Sequence, residues 1–188
     1  MKQFKGYGRK EQAVYEVLPK GAYVIKILDA KEEANRNGNG THLKVSFDIA
    51  EGEYAGFYMA AFQNDTREDK KWNNDAVIYI TCPDDNSEQY VVDNFNRFMT
   101  AVEDSNEGYH WAWDETTLKN KLVGAKFCNE QSQYNGKIYD HTKAKWFIKA
   151  QLIRDGKYGK LPNDVLIKKD NSADFVNVPE GVDEEIPF

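Results

Sequence analysis

Alternating hydrophobic and polar positions predict several short strands in the first third of the chain. Residues 22–28 form a run rich in β-branched and aromatic side chains, and residues 41–50 alternate between apolar and polar. The polar residues 37–40, which include two glycines, predict a turn between these strands. A short link, 51–56, leads to the apolar run 57–62. We therefore predict a third strand at 57–62, paired with the second strand as a hairpin.

A helical period dominates the middle of the chain. Apolar residues recur at steps of three and four from Val91 to Val102, which predicts an amphipathic helix at about residues 88–104. This helix lies in a mixed segment, 63–120, that we interpret as an insertion between the third and fourth strands. The tryptophans of the insertion, Trp72, Trp111 and Trp113, are interpreted as packing residues, with exposed stacking by one of them as the open alternative.

The last third of the chain predicts a second hairpin. Residues 122–129 indicate a strand, residues 134–137 (Tyr-Asn-Gly-Lys) a tight turn, and residues 138–152 a long returning strand. Because side chains alternate across a strand, the even positions from Ile138 to Ala150 are expected to face a core. The odd positions then face solvent and carry four lysines, a histidine and two aromatic rings.

This outward face is the candidate nucleic-acid-binding surface. Lysines that follow phosphates, and rings on which bases stack, are the ingredients of sequence-tolerant binding to single strands. The predicted face consists of Lys137, Tyr139, His141, Lys143, Lys145, Phe147 and Lys149. Further candidates are Tyr134 in the turn, Lys126 on the preceding strand and, from the second and third strands, His42, Lys44, Tyr58 and Phe62.

Three strands, a helix and two further strands follow the element order of the five-stranded OB barrel, a fold that binds oligonucleotides. We therefore predict a mainly β protein that contains this barrel, with the α-helical insertion between the third and fourth strands. The predicted organisation is a basic and aromatic N-terminal arm (1–20), an OB domain (21–170) and a disordered acidic C-terminal tail (171–188).

Charge is unevenly distributed along the 188 residues, although the net charge is only −6. Residues 121–160 contain nine bases and three acids, whereas residues 1–120 contain 14 and 21, and residues 161–188 contain two and seven. The N-terminal arm adds a smaller basic cluster interleaved with aromatic rings: Lys2, Phe4, Lys5, Tyr7, Arg9 and Lys10. Such segregation is typical of a protein that binds a polyanion.

The chain ends in acids followed by apolar residues. Residues 174–188 carry five acids and no base, so this stretch gains little from folding and is expected to stay solvated. Its last six residues are Asp183, Glu184, Glu185, Ile186, Pro187 and Phe188. This ending resembles the C-terminal tip of bacterial and phage single-stranded DNA-binding proteins.

The resemblance extends less specifically over most of the chain. The similar segments are Gly-Ala-Tyr at 21–23, Gly-Thr-His-Leu-Lys-Val at 40–45, Glu-Gly-Glu-Tyr-Ala-Gly at 51–56 and the 134–137 turn. The resemblance implies a phage or mobile-element protein that coats single-stranded DNA in replication, recombination or repair. It also implies that the tip recruits replication or recombination proteins. The number of subunits stays open, and a homo-oligomer is compatible with the sequence.

An enzyme is the less favoured alternative. The three histidines and two cysteines show no metal-ligand spacing, so we expect no catalytic residue, no metal site and no cofactor. A magnesium-dependent nuclease would have to use Asp84 and Asp155 beside Lys157, which lie in ordinary turn sequences. A virion or interaction protein that binds no nucleic acid is the other alternative.

The sequence also predicts the compartment. No apolar run approaches the roughly 20 residues of a membrane span, and the N-terminus has no apolar signal region. Two cysteines, Cys82 and Cys128, suit a reducing environment. We therefore expect a protein of the bacterial cytoplasm that contacts no membrane.

Overall fold

Five antiparallel strands form one sheet in the computed structural model, which describes residues 16–167. The strands are β1 (Ala22–Ala34), β2 (Thr41–Ile49), β3 (Val77–Thr81), β4 (Leu122–Tyr134) and β5 (Lys137–Ile148). The α-helices are α1 (Phe57–Asn64), α2 (Gln89–Ser105) and α3 (Ala150–Arg154), and short 3-10 helices span Asn74–Ala76 and Glu115–Leu118. The strand order is β3-β2-β1-β4-β5. The predicted mainly β architecture is confirmed.

One face of the sheet builds the hydrophobic core. Along β2 the inward residues are the four that the alternation predicts, each at most 3% exposed: Leu43, Val45, Phe47 and Ile49. Helix α2 packs on this core through Phe98 and Val102, which are fully buried. The helix spans 89–105 where the sequence predicts 88–104, so the helical prediction is confirmed.

The third strand does not lie where the sequence predicts it. Residues 57–62 belong to α1, and β3 lies at 77–81, inside the segment interpreted as an insertion. The buried carboxylate of Asp48 accepts hydrogen bonds from the backbone N–H groups of Tyr58 and Met59, at 2.9 and 3.2 Å. N–H groups in the first turn of a helix have no partner within that helix. A side chain distant in sequence therefore caps α1, and the predicted hairpin between strands two and three is wrong.

The β4–β5 hairpin confirms the predicted turn. Tyr134 pairs with Lys137, and the two residues between them, Asn135 and Gly136, have φ angles of 49° and 74°. Positive φ at both central positions is what a type I′ turn requires. Strand β5 ends at Ile148 instead of residue 152, because residues 150–154 form α3.

Strand β4 has different partners along its length. Residues 122–126 of β4 pair with β1. Further along β4, Glu130 forms a bridge with Val165, which lies in the segment after α3. There, the N–H of Val165 donates to the carbonyl of Asn129, and the N–H of Gln131 donates to the carbonyl of Val165, each at 2.9 Å. The C-terminal end of the described residues therefore lies beside the long β4–β5 hairpin.

The sheet is open between its edge strands. Within residues 16–167 no backbone pairing joins β3 to β5, so the closed form of the predicted barrel stays a prediction. Residues 1–15 of the predicted arm and the end of the chain from residue 168, including the whole predicted tail, lie outside the described residues. No helix in the described part is long and apolar enough to cross a membrane.

Candidate nucleic-acid interface

A cleft of about 550 Å³ lies between the two edge strands of the sheet. Strands β3 and β5 form two of its walls, and α2, which packs against both, forms the third. The aromatic and basic residues that line it are Tyr79, Tyr90, Arg97, Phe98, Lys143, Lys145, Trp146 and Phe147. We refer to this site as the edge cleft.

Three aromatic rings are exposed in the edge cleft. The side chains of Tyr79, Tyr90 and Trp146 are 59%, 63% and 45% exposed. On β3, Tyr79 faces outward because its neighbours Ile78 and Ile80 face the core, each only 7% exposed. Exposed rings of this size offer flat apolar surfaces on which unpaired bases stack.

A bulge in β5 places Trp146 in the cleft. Lys126 pairs with Trp146 and Phe127 pairs with Ala144, so the backbone of Lys145 is left out of the pairing register between β4 and β5. Beyond this extra residue the alternation is reversed. Trp146, predicted to face the core, is instead exposed, and the ammonium of Lys126 lies 5.7 Å from its ring centroid.

The same bulge turns Phe147 toward α2, and the partly buried side chain still lines the edge cleft. Phe147 packs edge-on against Phe98 of α2, with ring centroids 5.0 Å apart. Alternation alone predicts Phe147 outside and Trp146 inside, whereas the structure exposes Trp146 and leaves Phe147 partly buried, and both differences have one cause. A β-bulge shifts the side-chain parity of every residue that follows it.

The lysines of the cleft are ion-paired. The Lys143 ammonium lies 2.8 Å from a carboxylate oxygen of Asp75 and donates to the carbonyl of Asn74 at 2.7 Å. Lys145 lies 2.6 Å from a carboxylate oxygen of Glu130. Arg97 is exposed, and among the described residues no salt bridge involves it. Arg97 is therefore the least neutralised cation of the cleft.

His141 belongs to the same polar group. Its Nδ1 lies 3.0 Å from Asp75 Oδ1, and its Nε2 lies 2.8 Å from the hydroxyl of Ser132. Because Asp75 also binds Lys143, this carboxylate connects the 3-10 helix Asn74–Ala76 to β5. His141 and Lys143 therefore hold the two edges of the sheet together in addition to any role in binding.

Two predicted residues of β2 lie beside the cleft. His42 packs against Tyr79 with ring centroids 5.3 Å apart, and its Nδ1 lies 2.7 Å from the side-chain oxygen of Asn35. Lys44 is the direct cross-strand neighbour of Tyr79 and lies 3.5 Å from a carboxylate oxygen of Glu33. The exposed face of β2 and β3 therefore continues from Tyr79 toward His42 and Lys44.

Other predicted residues lie away from the cleft. Tyr58 is only 2% exposed, so it offers no ring to a base, and burial raises the pKa of its hydroxyl. Phe62 lies on α1 against Trp72, and Lys149 precedes α3 outside β5. Lys126 is almost buried, and its ammonium donates to the backbone carbonyl of Lys160 and lies over the Trp146 ring. It therefore packs against Trp146 and is little exposed to solvent.

The outer end of the β4–β5 hairpin forms a second exposed group. Tyr134 is 69% exposed, and Ile138 and Tyr139 are each 45% exposed. Lys137 lies between them and is exposed as well. Three of the predicted binding residues, Tyr134, Lys137 and Tyr139, therefore lie together at the tip of the hairpin. The other end of β5 lines the cleft.

The cleft contains residues that the sequence analysis did not select. Tyr90, Asn94 and Arg97 recur at steps of four and three on α2, which places them on one polar face. This spacing was readable in the sequence. The sequence does not indicate Tyr79 because the predicted strands do not include residues 77–81. It does not indicate Trp146 because the bulge reverses the alternation before this residue.

The acids considered for a nuclease serve local structure. Asp84 accepts a hydrogen bond from the N–H of Asn86 at 2.9 Å, and Asp155 accepts one from the side chain of Gln151 at 2.7 Å. Within residues 16–167 no group of three His, Cys, Asp or Glu side chains is placed to hold a metal ion.

Comparison with known proteins gives no family assignment: no family model matches the chain, and no curated protein matches it.

Proposed function

We propose that this chain binds single-stranded DNA with little sequence preference, and that the edge cleft is the centre of the binding surface. The observation that carries the proposal is the placement of three exposed rings, Tyr79, Tyr90 and Trp146, beside the cations Arg97, Lys143 and Lys145. Rings that stack on bases and cations that contact phosphates are the two components of sequence-tolerant single-strand binding.

The rings favour a single strand over a duplex. In a duplex the base faces are already stacked on one another, whereas in a single strand they are accessible to side chains. Each stacked base contributes about 1–3 kcal/mol, so three rings are enough to make stacking the main attraction. The ion pairs of Lys143 and Lys145 reduce the electrostatic contribution of these lysines to the binding free energy.

The fold supports the proposal. Apart from α1 between β2 and β3, α3 after β5 and the short 3-10 helices, the element order is three strands, a helix and two strands, as in an OB fold, which is a partly open barrel. The unpaired edges of β3 and β5, where the cleft lies, are compatible with such an opening.

The sequence of the C-terminal tip, 183–188, supports a second part of the proposal. By resemblance, the tip recruits replication, recombination or repair proteins to DNA that the chain has coated in a phage-infected bacterial cell. Deleting residues 183–188 is expected to leave single-strand affinity unchanged or slightly raised at low salt, because the deletion removes three acids. Pull-down of replication proteins with the full-length and truncated chains measures the loss of recruitment.

A titration of the full-length chain tests the DNA proposal. Tryptophan fluorescence is recorded with a deoxythymidine oligonucleotide and with a duplex of the same length. We expect the single strand to bind at least tenfold more tightly, with a slope of log affinity against log salt of about −0.7 for each phosphate neutralised. Equal affinity for the duplex, or no binding at low salt, would contradict the proposal.

A further inference from the structure

A second pocket borders a different face of α2 and is acidic. Its volume is about 250 Å³, below the roughly 300–1,000 Å³ of sites for drug-sized ligands, so it suits a single side chain. The aromatic and acidic residues of its lining are Phe95, Trp111, Trp113, Glu32, Asp84 and Glu115. Its lining contains no lysine or arginine. We refer to it as the tryptophan pocket.

Trp113 is held open to solvent at this pocket. It is 78% exposed, more than any other large hydrophobic residue among those described. Its φ angle of 59° lies in the left-handed region, which is costly for a residue with a bulky side chain. The ring stacks on Phe95 with a centroid distance of 6.2 Å and an interplanar angle of 12°. The ring therefore contacts Phe95, and most of its surface stays exposed.

The carboxylates of the pocket have no cationic partner. In the part of the chain that the structure describes, no salt bridge involves Glu32, Asp84 or Glu115. Glu32 accepts a hydrogen bond from the hydroxyl of Thr41, which leaves its charge in place. Burial raises the pKa of the Cys82 thiol, and the charges of Glu32 and Glu115 raise it further. Three carboxylates without a salt-bridge partner among the described residues therefore line one small pocket.

We propose that the tryptophan pocket binds the cationic side chain of a lysine or arginine in a partner protein. A cation over the face of a tryptophan is attracted by the quadrupole of the ring, and flanking carboxylates add a direct charge interaction. A nucleic acid is disfavoured because its phosphates would face three unpaired carboxylates. The acidic residues 174–188 of the chain are disfavoured for the same reason. The proposal does not depend on DNA binding at the edge cleft, since the lining of the pocket is separate.

The test uses the full-length chain and a short blocked peptide of alternating glycine and lysine. The readout is the NMR shift of the Trp113 indole N–H. We expect saturable binding of the lysine peptide and much weaker binding of the matched glycine–glutamine peptide. Equal binding of both peptides would overturn the proposal, as would a larger Trp113 shift with a deoxythymidine oligonucleotide than with the lysine peptide.

Two variants separate the ring from the charges. Trp113→Ala removes an exposed ring and is expected to lower peptide affinity about two- to thirtyfold, measured in this variant from the indole N–H of Trp111, which also lines the pocket. The pair Glu32→Gln and Glu115→Gln is expected to lower it about two- to thirtyfold as well. The control pair Glu53→Gln and Glu68→Gln makes the same change in net charge away from the pocket and should leave affinity unchanged. An equal loss in the control would overturn the site assignment.

A deletion identifies the source of the cation. Residues 1–15 of the chain are themselves basic, with Lys2, Lys5, Arg9 and Lys10. If a partner protein supplies the cation, removing these residues leaves peptide affinity unchanged. If affinity instead rises severalfold, the N-terminal residues compete for the pocket, and the assignment to a partner protein is overturned.

Discussion

The edge cleft and the tryptophan pocket border the same helix, use the same kind of side chain and differ in charge. On α2, Tyr90 and Arg97 line the cleft, whereas Phe95 lines the pocket. The cleft adds Lys143 and Lys145 to its rings, and the pocket adds carboxylates. An aromatic ring can stack on a base or attract a cation. We therefore expect the sign of the neighbouring charges to decide which ligand each site accepts.

Helix α2 lines both sites and is held against the core by buried side chains, so a core mutation should disturb both sites. Phe98 is fully buried and packs against Phe147, so Phe98→Ala is expected to lower the free energy of unfolding by about 3–5 kcal/mol. Both ligands should then bind more weakly. Tyr90→Ala on the exposed face of the same helix should change stability by about 0.5 kcal/mol or less. Urea unfolding measures both values, and a small loss for Phe98→Ala would show that α2 is not the common support.

Removing a ring from one site should affect only that site. Tyr90→Ala is expected to weaken single-strand binding by about 1–3 kcal/mol, because it removes a stacking surface without a charge. The slope of affinity against salt should stay unchanged. Trp113→Ala is the matched control, and it should leave single-strand affinity unchanged. Fluorescence titration measures both, and similar losses in the two variants would mean that the sites are not distinct.

Removing a charge from the cleft should change the salt dependence instead. Arg97→Gln is expected to reduce the salt slope by about 0.7 if the guanidinium contacts one phosphate. Arg36→Gln, in the exposed β1–β2 loop, serves as the control for the loss of one positive charge. If both variants reduce the slope equally, the attraction comes from net charge and not from the cleft.

The ion-paired lysines should contribute least. Lys145 is already paired with Glu130, so part of its charge is neutralised before DNA arrives. We expect Lys145→Gln to reduce the salt slope by less than Arg97→Gln does. Titration of the two variants at several salt concentrations gives the comparison. A larger effect for Lys145 would show that its ion pair breaks when DNA binds.

Much of the fold was predictable because local pattern and local geometry agree. The alternation in β2, the helical period of α2 and the Asn135-Gly136 turn each depend on residues close in sequence. The prediction of the third strand failed because residues 57–64 form a helix that is capped by Asp48. This buried side chain accepts hydrogen bonds from backbone groups 10 and 11 residues further along the chain. No local pattern encodes such a contact.

The candidate site was predictable only in part. Lys143 and Lys145 are among the predicted residues and line the cleft, whereas Tyr58 is buried in the core and Phe147 lines the cleft only as a partly buried ring packed on α2. The error at Phe147 comes from a bulge, which inserts one residue without changing the composition of the strand. The approach of β3 to β5 joins residues more than sixty positions apart, so the cleft itself has no signature in the sequence.

A paired NMR titration tests whether the charges beside the rings give the edge cleft and the tryptophan pocket different ligands. The indole N–H signals of Trp146 and Trp113 are followed in the full-length chain, first with a deoxythymidine oligonucleotide and then with the glycine–lysine peptide. We expect the oligonucleotide to shift the Trp146 signal and leave Trp113 unchanged, and the peptide to do the reverse. Movement of Trp113 with the oligonucleotide, or of Trp146 with the peptide, at comparable saturation would contradict it.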